Sequence, residues 1–111
     1  MVDTSQLDIN EMRSAAGDAA GLMRCLSHQD RLLLLCQLSQ QEMCVSELEE
    51  KLAIRQPSLS QHLGVLRRQG LIAPRRDGKN IYYRVGDERA LAVLQTLYQQ
   101  FCQPAQEGGK P

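Results

Sequence analysis

The chain lacks the usual equipment of an enzyme. It has no Cys-x-x-Cys redox motif, no glycine-rich loop of the kind that cradles phosphates, and no nucleophile set beside a base. It is therefore read as a non-enzyme that requires no cofactor. The N-terminus has no basic start leading into an apolar run and a small-residue cleavage site, and no apolar stretch approaches membrane-spanning length. A cytoplasmic protein is expected. In that compartment the four cysteines, Cys25, Cys36, Cys44 and Cys102, stay reduced instead of forming permanent disulfides.

What is present is one small domain's worth of sequence with an uneven charge distribution. The 111 residues are formally neutral, yet Arg55, Arg67, Arg68, Arg75, Arg76, Lys79 and Arg84 face only Asp77 in the segment 55–84, a local excess of +6. Residues 1–54 carry four cations against nine acids, a balance of −5. Basic charge gathered in one segment fits a protein that meets a polyanion by one face.

That segment has its own punctuation. Pro57 suits the start of a helix, where a missing N–H costs nothing, and Gly70 suits the left-handed residue that ends one. Between them Leu59, Leu63 and Leu66 recur at helical spacing and form an inner face, leaving Ser58, Ser60, Gln61, His62 and Arg68 outside. Leu71 and Ile72 then enter a strand, Asp77-Gly78 marks a tight hairpin turn, and Ile81, Tyr82, Tyr83 and Val85 furnish the return strand. Helix plus ribbon predicts a winged helix.

The remainder supplies support for that unit. Residues 1–8 and 103–111 read as flexible tails around a domain over 9–102. Met12, Ala15 or Ala16, Ala19, Leu22, Met23 and Leu26 give a first helix over Ile9–Leu26 with small residues that allow close helix contact. Ser27 with Asp30 has the spacing of a capping box and opens a second helix through Leu32–Leu38; Ser46 with Glu49 opens a third. The third helix, a turn at Ala53–Gln56 and the next helix make a helix-turn-helix. Asp87 caps a last helix whose Leu91, Leu94, Leu97, Tyr98 and Phe101 form an apolar stripe. The fold class is mainly α with a β-hairpin wing. First and last helices are expected to pair with those of a second chain, setting two recognition helices about 34 Å apart for successive major grooves.

The runs SLSQHLGVLRRQGLI and RRDGKNIYYRV resemble the recognition helix and wing of the ArsR/SmtB family of bacterial winged-helix repressors, and the likeness extends from about Leu22 to Cys102. The resemblance implies a homodimeric repressor on double-stranded operator DNA. It places DNA contacts at Arg55, Gln56, Ser58, Ser60, Gln61, His62, Arg75, Arg76 and Lys79. The chemistry of these groups agrees: Gln61 can pair with an adenine edge, the serines and His62 with bases or phosphates, and the wing cations with phosphates.

Members of this family take an input, mostly a metal or thiol chemistry. The segment Glu42–Leu48 resembles the family's arsenic-sensing stretch, but Ser46 stands where a second cysteine flanks the valine, and a hydroxyl is a poor ligand for a soft metalloid. The family's zinc site on the last helix needs histidine, and both histidines, His28 and His62, lie elsewhere. No metal site is expected, and His28 reads as a solvated or capping residue. By spacing alone Cys36 reads as one more small apolar residue in a leucine-rich helix. With Cys102, however, it resembles the thiol-sensing subgroup typified by BigR, SqrR and HlyU, which implies relief of DNA binding when reactive sulfur species or oxidants join the pair by a disulfide or polysulfide bridge. Two other readings stay open: a soft-metal-responsive repressor using Cys36, Cys102 and Cys44, and a winged-helix regulator that displaces another DNA-bound protein.

Overall fold

A computed structural model describes residues 8–102. The expected tails at 1–7 and 103–111 lie outside the described residues, and Asp8 caps the first helix by accepting the Asn10 N–H. Five helices and three strands follow: α1 (Ile9–Leu26), α2 (Gln29–Gln40), β1 (Met43–Cys44), α3 (Val45–Leu52), α4 (Ser58–Arg68), β2 (Ile72–Asp77), β3 (Asn80–Val85) and α5 (Glu88–Phe101). The core lies where α2, α3 and α4 meet. Leu34 and Leu35 of α2, Leu48 of α3, and Leu59 and Leu66 of α4 are its fully buried large side chains. Each stabilises the fold by about 1.5–3 kcal/mol through burial.

Local chemistry fixes the ends of α4. Gly70 adopts φ +76°, its N–H bonds to the Arg67 carbonyl at 3.0 Å, and the Leu71 N–H reaches the Leu66 carbonyl at 2.9 Å. This pair of bonds is a Schellman motif, the helix stop expected of that glycine. At the other end Pro57 occupies the cap position, not the first turn, and the Gln56 side-chain carbonyl accepts the Ser60 N–H at 3.0 Å.

Two caps differ from expectation. α2 is capped by His28, whose Nδ1 accepts the Asp30 N–H at 3.2 Å, because Ser27 is occupied closing α1: its hydroxyl donates to the Arg24 carbonyl at 2.8 Å. Likewise α3 begins at Val45, and Glu47 Oε1 accepts the Cys44 N–H at 3.0 Å, so the carboxylate that opens this helix is Glu47 and not Glu49.

β2 and β3 form the antiparallel wing, paired from Ile72↔Val85 to Asp77↔Asn80. The two-residue turn is Gly78-Lys79, with Gly78 at φ +64° in its first position. Asp-Gly therefore straddles the turn instead of filling it, as in a type II′ hairpin. A third strand that periodicity did not reveal, β1, pairs Met43↔Tyr83 and Cys44↔Tyr82, giving the order β1-β3-β2. Pro74 lies on β2, an edge strand, where a missing donor is tolerated.

α5 starts as expected at Asp87, whose Oδ1 accepts the Ala90 N–H at 3.0 Å. Its stripe divides. Ala90 and Leu94 are buried, whereas Tyr98 and Phe101 are exposed, and so are Ile9, Met12 and Met23 on α1. No helix among the described residues is long and apolar enough to cross a membrane.

Candidate nucleic-acid interface and thiol pair

The helix-turn-helix presents the first half of α4 to solvent. Leu59 and Leu63 anchor it inward, so Ser58, Ser60 and Gln61 stand exposed beside Arg55 and Gln56. Gln56 spends its carbonyl on the helix cap, which leaves its amide nitrogen as the group to offer a phosphate or base.

His62 does not share that open face. Its side chain is 13% exposed and turns toward the start of α2, with its ring centroid 4.3 Å from that of His28 and its Nε2 4.0 Å from Asp30 Oδ2. Burial, then the charges of His28 and Arg31, hold its pKa below the ordinary imidazole value, with Asp30 pulling the other way. This contact joins residues distant in sequence, and nothing in local spacing announces it.

The wing tip, residues 74–80, is exposed throughout. Arg76 and Lys79 make no ion pair among the described residues, so both are available to phosphates. Arg75 is differently placed. Its Nε and Nη2 donate to Glu42 at 2.7–3.0 Å, its Nη1 lies 3.9 Å from Asp77, and its guanidinium sits 5.1 Å from the centre of the Tyr82 ring. The Glu42 carboxyl is held below the usual range chiefly by that hydrogen bonding. Glu42 belongs to the segment leading into β1, and the unpredicted third strand is what carries it to the wing.

The cysteines separate into two kinds. Cys25 and Cys44 are buried, and Cys44 Sγ lies 3.3 Å from Ser46 Oγ. Cys36 is half-buried and Cys102 is exposed at the end of α5. Cys36 borders a cleft of about 380 Å³ between α2 and α5, whose walls include Ser39, Leu91, Leu94 and Tyr98. Burial, and then the nearby Cys102, push the Cys36 thiol above its ordinary pKa.

Comparison with known proteins agrees with this geometry. Residues 28–73 match the family described as bacterial regulatory protein, arsR family. The chain is 44% identical over 103 residues to the biofilm growth-associated repressor of Agrobacterium fabrum, covering 93% of this chain and 88% of that one. Among solved structures it is similar to the transcriptional repressor BigR from Xylella fastidiosa, with TM-score 0.79 and 41% identity over 88% of this chain and 100% of that one. Reduced HlyU from Vibrio cholerae superposes with TM-score 0.80 and 33% identity over 84% and 98% of the two chains. With its exposed α4 surface, basic wing and this degree of likeness, the chain belongs to the arsR family of bacterial transcriptional regulators, and it is not an enzyme.

Proposed function

We propose that the protein is a homodimeric repressor that binds operator DNA through α4 and the wing and is released when Cys36 and Cys102 become bridged. The observation that carries the thiol input is the placement of half-buried Cys36 at the α2–α5 cleft, with Cys102 exposed at the end of α5. Likeness to a biofilm growth-associated repressor and to a regulator solved in a reduced form supports the same reading. Ile9, Met12 and Met23 on α1 with Tyr98 and Phe101 on α5 offer apolar surface for a second copy, beside a groove lined by Ala15, Ala19, Leu22 and Val93.

Exposure orders the chemistry. Cys102 is the accessible thiol and attacks first; Cys36, with its raised pKa, has little thiolate at neutral pH and closes the bridge second. With a persulfide RSSH, Cys102 takes the outer sulfur to give Cys102–SSH and releases RSH. The Cys36 thiolate then attacks the Cys102 sulfur, forming the disulfide and expelling hydrosulfide. With hydrogen peroxide, Cys102 becomes a sulfenic acid with loss of water, and Cys36 displaces a second water. By either route the bridge ties α2 to the end of α5 and favours whichever dimer conformation accommodates it.

The test is binding to duplex DNA from upstream of the protein's own gene, reduced and after treatment with an organic persulfide. Two chains per duplex, a steep salt dependence and loss of affinity that a thiol reductant restores are expected. Equal affinity before and after treatment would contradict the thiol input.

A further inference from the structure

His28, Asp30 and His62 stand together at the junction between the start of α2 and the middle of the recognition helix, and neither the DNA interface nor the thiol pair uses them as a group. We propose that they form a site for a divalent transition-metal ion of the zinc class, one that ties α4 to the N-terminus of α2. Each residue offers one ligand atom, and these atoms all lie within 4.8 Å of one another. Tetrahedral zinc with nitrogen and oxygen ligands requires about 3.3 Å between ligand atoms. The ligand atoms therefore need to close by at most about 1.5 Å.

The donor set selects the class of ion. Two imidazoles with one carboxylate suit zinc, cobalt, nickel or iron, whereas calcium and magnesium favour all-oxygen shells. Three protein ligands leave a position for water, and the exposure of His28 gives the ion a way in.

Two features oppose binding, and both are small. His28 Nδ1 now accepts the Asp30 N–H at 3.2 Å, and ligation by either ring nitrogen gives up that cap. A helix cap is minor beside the free energy of zinc-class binding. The cation of Arg31 also lies close, but its guanidinium is directed at the carbonyls of Cys25 at 2.8 Å and Arg24 at 3.4 Å. The consequence is mechanical: with the ion bound, His62 is held in the position it already takes away from the groove-facing side, and the recognition helix is pinned to α2. His28 and His62 are far apart in sequence, and only the fold brings their rings together.

The test titrates the reduced, chelator-treated full chain with Co²⁺ and follows with Zn²⁺ competition. One Co²⁺ per chain is expected, with ligand-field absorption and no thiolate-to-cobalt charge transfer. His62→Gln and His28→Asn should each weaken binding at least about tenfold, since even outer-sphere changes cost that much. Zn²⁺ at a concentration that saturates wild type should raise the Tm of wild type more than that of either variant. Asparagine retains a capping side chain, so His28→Asn carries the test should His62→Gln fail to fold. Absence of saturable Co²⁺ binding, a thiolate charge-transfer band, or full affinity in His28→Asn would overturn the proposal. None of these readouts depends on a Cys36–Cys102 bridge.

Discussion

Glu42 competes with phosphate for Arg75. In the free protein its guanidinium is engaged by both Glu42 oxygens, and the Glu42 carboxyl, its pKa lowered by that bonding, stays charged at neutral pH. Replacing Glu42 by Gln removes the competing charge and releases one arginine per wing. In a dimer, two additional phosphate contacts steepen the plot of log affinity against log salt by about 1.8. Between roughly 50 and 200 mM salt, that slope corresponds to an additional loss of about tenfold in affinity, starting from tighter binding at low salt. Fluorescence anisotropy on a labelled operator across this range measures it. Arg75→Ala should return the Glu42→Gln slope to its starting value while changing wild type much less, and Arg76→Ala should weaken wild type more than Arg75→Ala does. Identical slopes in wild type and Glu42→Gln, or an equal effect of Arg75→Ala in both backgrounds, would refute the competition.

Other perturbations test the scaffold. Leu66→Ala, at a fully buried position of α4, should cost about 2–5 kcal/mol by denaturant titration, with no change in the bases preferred by whatever folded protein remains. Gly70→Ala meets no atom within 4 Å, so its expected cost of about 1–2 kcal/mol comes from the left-handed backbone alone, and chemical denaturation reads it directly. His62 should make stability pH-dependent. Its folded pKa is depressed, so the unfolded chain takes the proton first; stability is fully present above about 6.5 and falls as pH drops through that value toward the folded pKa. A pH series of urea melts should show this decline, reduced in His62→Gln.

How much was legible in the sequence follows from how local each feature is. The limits of α1, the glycine stop at Gly70 and the cap at Asp87 depend on residues within a turn of one another, and they stand where the pattern put them. The first capping box slipped because Ser27 had two possible duties and finishing α1 took precedence, and the second because α3 starts at Val45, where Glu47 takes the Cys44 N–H. The two-residue strand β1 is too short to alternate and exists only because β3 lies beside it. Of the candidate DNA-contacting residues, Ser58, Ser60, Gln61 and Arg76 lie open as helical spacing and hairpin pairing imply. His62 and Arg75 are drawn aside by Asp30 and by Glu42, partners that only the tertiary fold brings near. The apolar stripe of α5 likewise showed that the helix needs neighbours, but not how its core-facing and exposed residues divide.

The thiol pair carries the proposed release of DNA. Its most direct test measures operator affinity and intact mass on the same persulfide-treated samples of wild type, Cys36→Ser and Cys102→Ser, with peptide mapping of any bridge. Wild type should lose DNA binding as a single intramolecular bridge joins Cys36 to Cys102. Cys36→Ser should gain sulfur on Cys102 yet keep its affinity, and Cys102→Ser should retain binding without a bridge. Release of DNA by wild type with no bridge, or equal release by Cys36→Ser, would contradict a Cys36–Cys102 switch.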